Sequence, residues 1–405
     1  MATTSWVPVP AGSPFTVHNL PYGVFSLPDE DPRVGVAIGN HVLDLAPLAA
    51  SEYADFAGVF TAPTLNPFMA LGARAWHAVR HWVTERLTDE AFRSLVEPEL
   101  VPADQVRLHL PFEVADYVDF YASEHHATRL GRLLRPNEPP LTPNWHHLPI
   151  GYHGRAGTVA VSGTPVTRPC GQHLAPGETS PSFGPSTRLD LEAEVGFVVG
   201  TPTVAGQRVS VDEVREYVFG VVLVNDWSAR DLQAWEARPL GPFLGKSFRT
   251  SVSPWVVPLA ALDAATVAPP AQDPAPLPHL RGTNDFGLDL DLEVSINDQV
   301  VARPRYADMY WTPAQMLAHL TSNGATLRTG DLLASGTVSG PGEGEYGCLM
   351  EASAGGTRPL TLADGSTRTF LRDDDVVTIR ATAPAPGGGR LGLGEVTGQV
   401  RPATP

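Results

Sequence analysis

The segment 189–199 is apolar apart from its acidic side chains, two of which, Glu192 and Glu194, are separated by a single residue. A β-strand directs alternate side chains to one face, so both carboxylates point the same way in a segment whose other residues require burial. Two carboxylates buried together are stable only when they are protonated, paired with basic groups or bound to a cation. On its own, the segment also fits a solvated sheet edge.

The charge balance of the chain restricts its partners. The sequence carries 28 basic and 44 acidic residues, a formal charge of -16 at pH 7. This excess of acidic groups argues against nucleic acid and anionic membrane surfaces, so small molecules and cations are the expected partners. No apolar run approaches the roughly 20 residues of a membrane span, and residues 1–16 lack the pattern of an export signal. Cys170 and Cys348 form no C-x-x-C motif, which favours a reducing cytoplasm.

The length of 405 residues favours two domains, and the turn-forming residues favour many short strands. With 38 Gly and 40 Pro between β-rich runs, we expect a mostly β protein with a few helices, of the α+β class. A Gly-Asn pair at 39–40 predicts a hairpin and a small β-barrel. A helical pattern covers 69–95, with a restart at 88–90. We place the boundary near Pro111, between a small β-barrel domain with a helical segment at 1–111 and a larger catalytic domain at 112–405.

The second part contains the clearest strand patterns, each bounded by Gly, Pro or Asp. The expected strands cover 159–161, 191–199, 218–224, 288–296, 332–336 and 376–381. The expected helices are short and cover 211–217, 227–235 and 312–322. The larger domain is therefore predicted to be rich in β-strands.

Two further acids complete a set of oxygen ligands. Asp119 lies in an aromatic-rich run, and Asp226 follows an apolar strand-like run. Together with Glu192 and Glu194 they offer only carboxylate oxygens, which suit Mg²⁺, Ca²⁺ or Mn²⁺ better than zinc or copper. Each acid alone also fits an exposed side chain or a helix cap, and the sequence does not establish that the four meet.

Other sequence motifs for metals, phosphates and nucleophiles are incomplete. His77 and His81 are one helical turn apart but lack a third ligand nearby, so we expect a solvated or packed pair. The tripeptide 245–247, Gly-Lys-Ser, imitates the end of a phosphate loop, but Leu240 stands where the first glycine belongs. The sequence also lacks G-x-S-x-G and H-E-x-x-H, which argues against serine hydrolases and zinc proteases.

Arg230 and Gln233 lie three residues apart on a predicted helix. That spacing allows both side chains to point toward a ligand beside the metal. Arg230 can equally pair with Glu236 or Asp231, and both alternatives remain open at this point.

Several longer motifs occur together in one known family. They are DPRVGVAIG at 31–39, DYVDFY at 116–121, PNW at 143–145, GYHGR at 151–155, NDWSARD at 225–231, GPFLGKSF at 241–248 and LASGT at 333–337. On these motifs the chain resembles the fumarylacetoacetase family over nearly its whole length. The resemblance implies a small amino-terminal β-domain, a larger β-roll domain and a homodimer. It also implies metal-dependent hydrolysis of a carbon–carbon bond in 4-fumarylacetoacetate, giving fumarate and acetoacetate at the end of tyrosine and phenylalanine breakdown.

The resemblance also implies roles for individual residues. The metal ligands of the family fall on the four acids Asp119, Glu192, Glu194 and Asp226. The general base falls on His126, and the acid that orients it falls on Glu351. The substrate contacts fall on Tyr121, Arg135, Tyr152, Gln233 and Thr337. Positions near a second, structural cation fall on Lys246 and Thr250.

Two positions depart from the family pattern. Ala237 replaces a tyrosine that contacts the substrate, and Arg249 stands where a glycine is usual. The loss of a phenol loosens one end of the expected pocket, and Arg238 or Arg249 is a candidate to replace its hydrogen bond.

The implied residues support a hydrolytic mechanism on a 1,3-dicarbonyl compound. Water becomes the nucleophile if His126 accepts its proton while Glu351 holds the other ring nitrogen. A dication that holds the two carbonyl oxygens stabilises charge on the departing fragment, and Arg230, Gln233 and Lys246 face the oxyanion formed by attack. Two alternatives remain. One is a related acylpyruvate or other diketo-acid hydrolase, or a decarboxylase such as one acting on oxaloacetate; the other is a non-catalytic calcium-binding β-protein.

Overall fold

One large mixed sheet organises the chain. The computed structural model describes residues 4–404, and thirteen strands belong to this sheet. The central pair, Ala193–Val199 and Val218–Asp226, is antiparallel and is buried at every residue. Leu332–Ala334 and then Tyr117–Phe120 extend the sheet on one side. The near-continuous apolar runs of the central strands follow from burial on both faces.

Strands outnumber helices, as predicted for a mixed α+β chain. The strands are Tyr22–Ser26, Arg33–Ile38, His41–Asp44, Leu100–Pro102, Arg107–Leu108, Tyr117–Phe120, Gly151–His153, Val159–Val161, Val166–Thr167, Cys170–His173, Ser182–Pro185, Leu189–Asp190, Ala193–Val199, Val218–Asp226, Ser228–Ala229, Thr250–Val252, Trp255–Pro258, Thr266–Val267, Gly287–Leu288, Asp291–Ile296, Gln299–Ala302, Leu332–Ala334, Leu360–Thr361, Thr367–Arg368, Val376–Pro384 and Arg390–Arg401. The α-helices are Leu45–Glu52, Ala54–Phe60, Asn66–Met69, Ala73–Thr88, Arg93–Val96, Glu124–Leu134, Val214–Tyr217, Arg230–Glu236, Leu244–Ser247, Pro313–Thr321 and Leu349–Ala352. The short 3₁₀ helices are Glu90–Phe92, Glu97–Glu99, Ala103–Gln105, Ala156–Thr158, Val211–Glu213, Leu259–Ala265, Pro278–Leu280, Tyr306–Asp308 and Pro386–Gly388.

The acid-bearing segment forms two strands rather than the single strand predicted over 191–199. Leu189–Asp190 pairs with Ser228–Ala229, whereas Ala193–Val199 pairs with the long strand Val218–Asp226. The break falls at Glu192, which makes only an isolated bridge to Cys348. Because Ser228 and Ala229 are taken up by this pairing, the following helix begins at Arg230 and not at 227 as predicted.

Several predicted elements match the structure closely. The strand predicted over 159–161 is found at Val159–Val161, and the hairpin turn at 39–40 joins Arg33–Ile38 to His41–Asp44. The helix predicted over 312–322 is Pro313–Thr321, with Thr312 and Ser322 as its caps. The strand predicted over 332–336 ends earlier, at Ala334, because Gly336 adopts a φ of 75° where it packs against the backbone of Phe120.

The amino-terminal part shares hydrogen bonds with the rest of the molecule. The helix Ala73–Thr88 ends where a restart was predicted, and the Asp89 side chain then accepts a hydrogen bond from Ala91 N at 2.9 Å. The strand Tyr22–Ser26 pairs with Trp255–Pro258, so the main sheet crosses the predicted boundary at Pro111. The division at Pro111, the amino-terminal barrel and the carboxyl-terminal roll stay predictions.

Across residues 4–404, no helix is both long and apolar enough to cross a membrane.

Candidate active site

A cavity of about 690 Å³ brings most of the predicted site residues together. The predicted residues that line it are Asp119, Tyr121, His126, Arg135, Tyr152, Glu192, Glu194, Arg230, Gln233, Lys246 and Thr337. Three predicted residues do not line it but lie behind its wall: Glu351 contacts His126, Asp226 contacts Lys246, and Thr250 contacts Asp226.

Three of the four predicted metal ligands form one buried carboxylate cluster. Asp119, Glu194 and Asp226 come from three strands of the main sheet, and their nearest ligand oxygens all lie within 4.8 Å of one another. Within residues 4–404, neither oxygen of Glu194 has a hydrogen-bond partner, and Asp119 Oδ1 also has none. Burial, together with the charges of neighbouring acids, raises the pKa of Glu194 well above its ordinary value. Burial also raises the pKa of Asp119, to about 6, although the charge of Arg155 opposes this.

This donor set fits a divalent cation. The three carboxylates supply oxygen atoms only, which is the ligand type that hard cations prefer. Buried carboxylate oxygens without partners are costly unless a cation or a proton compensates them. The unpartnered oxygens of Glu194 and Asp119 are therefore the structural sign of a metal site.

Glu192 has a different environment from Glu194. Its Oε1 accepts a hydrogen bond from Arg230 Nη2 at 2.7 Å, and its Oε2 contacts the ammonium group of Lys246. Burial raises the pKa of Glu192, but the charges of Arg230, Lys246 and His126 outweigh burial and lower it below the ordinary value. The two glutamates therefore differ: Glu192 is paired with basic side chains, whereas Glu194 has no protein partner within residues 4–404 and is available to bind a cation. The role of Glu192 as a fourth metal ligand stays a prediction.

Lys246, the only lysine of the chain, lies between two acids. Its Nζ donates to Asp226 Oδ2 at 2.8 Å and also contacts Glu192, and Thr250 Oγ1 donates to Asp226 Oδ1 at 3.1 Å. Burial lowers the pKa of Lys246, but the charges of Asp226 and Glu192 more than reverse this and raise it. Lys246 is therefore a buried cation of the site, and the second metal predicted beside it and Thr250 stays a prediction.

The predicted base and its orienting acid are in contact. His126 Nδ1 lies 2.7 Å from Glu351 Oε2, and both side chains are buried. The same Glu351 oxygen accepts hydrogen bonds from Ser339 Oγ at 2.8 Å and Cys348 Sγ at 3.3 Å. With Nδ1 donating to Glu351, His126 Nε2 is the acceptor nitrogen, 3.9 Å from a Glu192 oxygen. This arrangement suits a general base whose free nitrogen lies beside Glu192 in the cavity.

Arg230 does not pair with Glu236 or Asp231, the two alternatives left open by the sequence. Its Nε donates to Asp190 Oδ2 at 2.9 Å, and its Nη1 donates to Gln233 Oε1 at 3.3 Å. Asp231 instead accepts hydrogen bonds from Ser186 and Thr187 on the other side of the helix. Because the Gln233 carbonyl oxygen is used by Arg230, its amide N–H groups are left to donate into the cavity.

Arg155 is a site residue to which the sequence analysis assigned no role. Its Nη2 donates to Asp119 Oδ2 at 2.8 Å and to Asp226 Oδ2 at 2.7 Å, and its guanidinium group lies over the rings of Tyr117 and Tyr152. Burial lowers the pKa of Arg155, but the nearby acids outweigh burial and raise it. The GYHGR motif that contains Arg155 was noted, but no spacing rule links a residue at 155 to acids at 119 and 226.

Comparisons with known proteins identify the family of the chain. The family described as "Fumarylacetoacetase N-terminal" matches residues 18–111, and "Fumarylacetoacetate (FAA) hydrolase C-terminal" matches residues 116–401. The chain is 45% identical to fumarylacetoacetase of Homo sapiens over 418 aligned positions, which cover 98% of this chain and 99% of that protein. The chain belongs to the fumarylacetoacetase family. It is therefore a hydrolase of carbon–carbon bonds.

Solved structures of lower identity share the fold of this fumarylacetoacetase family member. Fumarylacetoacetate hydrolase from Exiguobacterium antarcticum has a TM-score of 0.55, with 18% identity, over 95% of this chain and 99% of that chain. Maleylpyruvate hydrolase from Sphingobium sp. SYK-6, in complex with manganese (II) ion and pyruvate, has a TM-score of 0.50, with 17% identity, over 95% of this chain and 100% of that chain. At these identities the likeness supports the fold only.

The two departures from the family pattern lie in different places. Ala237 lines the cavity, as does its neighbour Arg238, whereas Arg249 is not among the lining residues. Arg238 is therefore the better placed of the two arginines to replace the missing phenol.

The histidine pair of the amino-terminal part is separate from this site. His77 and His81 are exposed on the helix Ala73–Thr88. Neither belongs to a cluster of three or more metal-ligating side chains in the part of the chain that the structure describes. The expectation of a solvated or packed pair is consistent with this exposure.

Proposed function

We propose that this chain hydrolyses 4-fumarylacetoacetate to fumarate and acetoacetate, as the last step of tyrosine and phenylalanine degradation. The identity to fumarylacetoacetases over nearly the full length supports this substrate. The observation that carries the chemistry is the His126–Glu351 pair, whose free nitrogen lies 3.9 Å from Glu192 in the cavity that Asp119 and Glu194 of the carboxylate cluster also line. A histidine base beside a metal site can catalyse the addition of water to a carbonyl group.

Asp119, Glu194 and Asp226 would hold the cation, with Glu192 as the fourth predicted ligand. Mg²⁺ or Ca²⁺ is the proposed occupant, and Mn²⁺ has the same ligand preference. When bound, such a cation stabilises negative charge on the two carbonyl oxygens of a 1,3-dicarbonyl compound. This contribution explains why a carbon group, normally a poor leaving group, can depart.

His126 moves the proton in the proposed reaction. Its Nε2 takes a proton from water while Glu351 holds Nδ1, and the water oxygen forms a new bond to the fumaryl carbonyl carbon. The bond from that carbon to the central methylene group then breaks, and its electron pair stays with the acetoacetyl fragment. The proton held by His126 goes to that fragment, so that one water molecule is consumed and two carboxylic acids leave.

Arg230, Gln233 and Lys246 supply the donors for the oxyanion formed by attack. Each lines the cavity, and each retains donor capacity after its internal hydrogen bonds are counted. Tyr121, Arg135, Tyr152 and Thr337 line the same cavity and are proposed substrate contacts. Tyr152 supports this role because its buried hydroxyl group has no partner within residues 4–404. Removal of one oxyanion donor typically costs about 10²–10³ in rate.

Other features of the family are proposed with this function. We propose a homodimer and the two-domain division at residue 111, with an amino-terminal barrel and a carboxyl-terminal roll. The separate matches to residues 18–111 and 116–401 support the division. The free thiols of Cys170 and Cys348 support a cytoplasmic location. Sedimentation velocity of the purified protein tests the dimer, which a single monomeric species would contradict.

The function is tested by following the loss of fumarylacetoacetate absorbance. We expect turnover that stops with a chelator and returns when Mg²⁺, Ca²⁺ or Mn²⁺ is added back. His126→Ala should abolish turnover while its circular dichroism and metal content stay unchanged, and His279→Ala, an exposed histidine outside the cavity, should behave as wild type. Faster cleavage of acylpyruvates than of fumarylacetoacetate would favour the related diketo-acid activity. Inactivity on all diketo acids despite tight metal binding would favour the calcium-binding alternative.

A further inference from the structure

We infer that a second cavity, separate from the active site, binds a small aromatic carboxylate. Its volume is about 340 Å³, which lies in the usual range of ligand cavities, and within residues 4–404 its lining shares no residue with the catalytic cavity. The lining combines residues from both family-matched parts of the chain, 18–111 and 116–401, and such junctions are common places for ligand sites. This inference goes beyond the proposed function and does not depend on it.

Arg80 is a partly buried cation that lines this cavity. Its Nη1 donates to Asn19 O at 2.7 Å, and its Nη2 donates to His18 O at 2.6 Å. Among the side chains that the structure describes, no carboxylate forms an ion pair with it. Burial lowers the pKa of Arg80, and the acidic groups of Tyr22 and Asp263 oppose this only in part. A guanidinium group has several N–H donors beyond the two used here, so Arg80 has both the charge and the donors to bind an anion.

Tyr22 provides a second polar group beside Arg80. Its side chain is 2% exposed and lines the cavity, and its hydroxyl group makes no hydrogen bond within residues 4–404. Burial raises the pKa of Tyr22, although the charge of Arg80 opposes this, so the group is a neutral hydroxyl that can donate at pH 7. Arg80 is tied to the backbone three residues before Tyr22, and each of the two groups shifts the pKa of the other. The hydroxyl and the guanidinium group therefore lie near each other on one part of the wall.

Aromatic rings form the apolar wall of the cavity. The ring centroid of Phe219 lies 5.3 Å from that of Trp76 and 5.6 Å from that of Tyr22, and all three side chains are lining residues. Trp76 Nε1 donates to Met69 O at 2.9 Å, which fixes the orientation of the indole and uses its one polar group. The rings therefore present carbon surface to a ligand, and a planar aromatic body packs against such rings better than a saturated one.

The charges around the cavity favour an anion. The basic side chains of the lining are Arg80, Arg215 and His77, and its acid is Asp263. Asp263 has a side chain that is 67% exposed, and Arg215 Nη1 donates to it at 2.9 Å, so its charge is both solvated and matched. The charge of Arg80 is left for the ligand. A carboxylate fits the fork of a guanidinium group, and with the aromatic wall this defines an aryl carboxylate as the ligand class.

Calorimetric titration of the purified protein with benzoate tests this inference. We expect a Kd of about 0.1–1 mM, an affinity that a ligand of this size can reach. Arg80→Met should weaken binding about tenfold or more, the loss expected for a hydrogen bond between charged groups, and Arg80→Lys should recover part of it. Tyr22→Phe should weaken binding about two- to tenfold. Arg74→Met, an exposed arginine of the same helix outside the cavity lining, is the matched control and should bind as wild type.

Two other probes separate the contributions of charge and ring. Benzamide keeps the ring but lacks the charge, and inorganic phosphate keeps a negative charge but lacks the ring. Each should bind about tenfold or more weakly than benzoate, because each loses one of the two recognised features. Binding of phosphate as tight as that of benzoate would overturn the aromatic specificity, and equal binding of benzamide would overturn the role of the charge.

The absence of benzoate binding up to about ten times the expected Kd would overturn the inference. Unchanged binding in Arg80→Met and Tyr22→Phe would also overturn it, because benzoate would then occupy another place, such as the catalytic cavity. Arg80 holds the backbone at His18 and Asn19, so circular dichroism checks the fold of its variants. If Arg80→Met does not fold, Tyr22→Phe and Arg80→Lys decide. Since the readout needs no turnover, an active enzyme that does not bind benzoate would refute this inference and leave the proposed function intact.

Discussion

His126 Nδ1 lies 2.7 Å from Glu351 Oε2, although 225 positions separate the two residues in the chain. Glu351 is held in turn by Ser339, Cys348 and Arg129, so its carboxylate has one defined orientation. The pair fixes which imidazole nitrogen carries the proton and leaves the other, Nε2, to accept a proton beside Glu192. The tautomer and orientation of the imidazole therefore depend on a residue that does not line the cavity.

Glu351→Gln should lower kcat about 10²–10⁴-fold with little change in KM. A glutamine amide can donate to Nδ1 and so favour the wrong tautomer, and it carries no charge to stabilise a protonated imidazole. Stopped-flow or steady-state assays at saturating substrate measure this loss. Glu178→Gln, at an exposed position, is the control. A kcat within threefold of wild type would show that Glu351 does not orient the base.

The stability of the protein should depend on Glu351 at acid pH. Burial raises the pKa of Glu351, but the charge of His126 and hydrogen bonds from His126, Ser339 and Cys348 outweigh burial and lower it. A carboxyl group whose pKa is lower in the folded state stabilises the fold above its unfolded pKa, near 4.5, and loses this contribution as the pH falls below that value. Urea unfolding from pH 6 to pH 3 should therefore show a stability advantage of wild type over Glu351→Gln that shrinks below about pH 4.5. A constant difference would contradict the lowered pKa.

Glu194→Gln should weaken divalent-cation binding about a hundredfold or more, since even outer-shell partners of a metal are worth about 10–100-fold. The metal-free variant should be at least as stable as wild type, because neither Glu194 oxygen has a protein partner in residues 4–404. Glu192→Gln is the matched comparison and should be destabilised without metal, because it weakens contacts to Arg230 and Lys246. Calorimetric metal titration and chemical unfolding measure the two effects. If both variants behaved alike, the distinction between the two acids would be wrong.

Lys246→Met should destabilise the metal-free protein by about 3–5 kcal/mol, the cost of breaking a buried ion pair. The loss of the ammonium group leaves Glu192 and Asp226 without the cation that they share. Added divalent cation should restore part of the stability, because it binds the folded state and compensates the same acids. Denaturant unfolding with and without metal measures this, and the exposed Arg208→Met should change stability by less than about 0.5 kcal/mol. An unchanged midpoint for Lys246→Met would contradict the buried pairing.

Local sequence signals were sufficient for elements whose ends are fixed by neighbouring residues. Thr312 and Gln315 form a reciprocal capping box, and the helix Pro313–Thr321 begins where these residues predict. The Gly-Asn turn at 39–40 likewise fixes its hairpin. In both cases the residues that determine the structure lie within a few positions of one another.

The structural features that the sequence could not predict depend on contacts between residues far apart in the chain. The strand predicted over 191–199 breaks because Leu189–Asp190 pairs with Ser228–Ala229. No residue close to this segment in the sequence indicates that pairing. Glu192 and Glu194 differ because Arg230 and Lys246 approach only one of them. Both carboxylates line the same cavity, although Glu192 lies outside the strand that carries Glu194. The alternation rule contains no information about which basic groups each of them meets.

The only lysine of the chain is 3% exposed between two acids. A protease that cuts after lysine consequently has a single target, and that target is closed in the folded protein. Digestion into two fragments, 1–246 and 247–405, would occur only when the active site opens and exposes Lys246. The rate of cleavage therefore measures the frequency of this opening. Amine-reactive reagents should report the same opening, with the α-amino group as their remaining target.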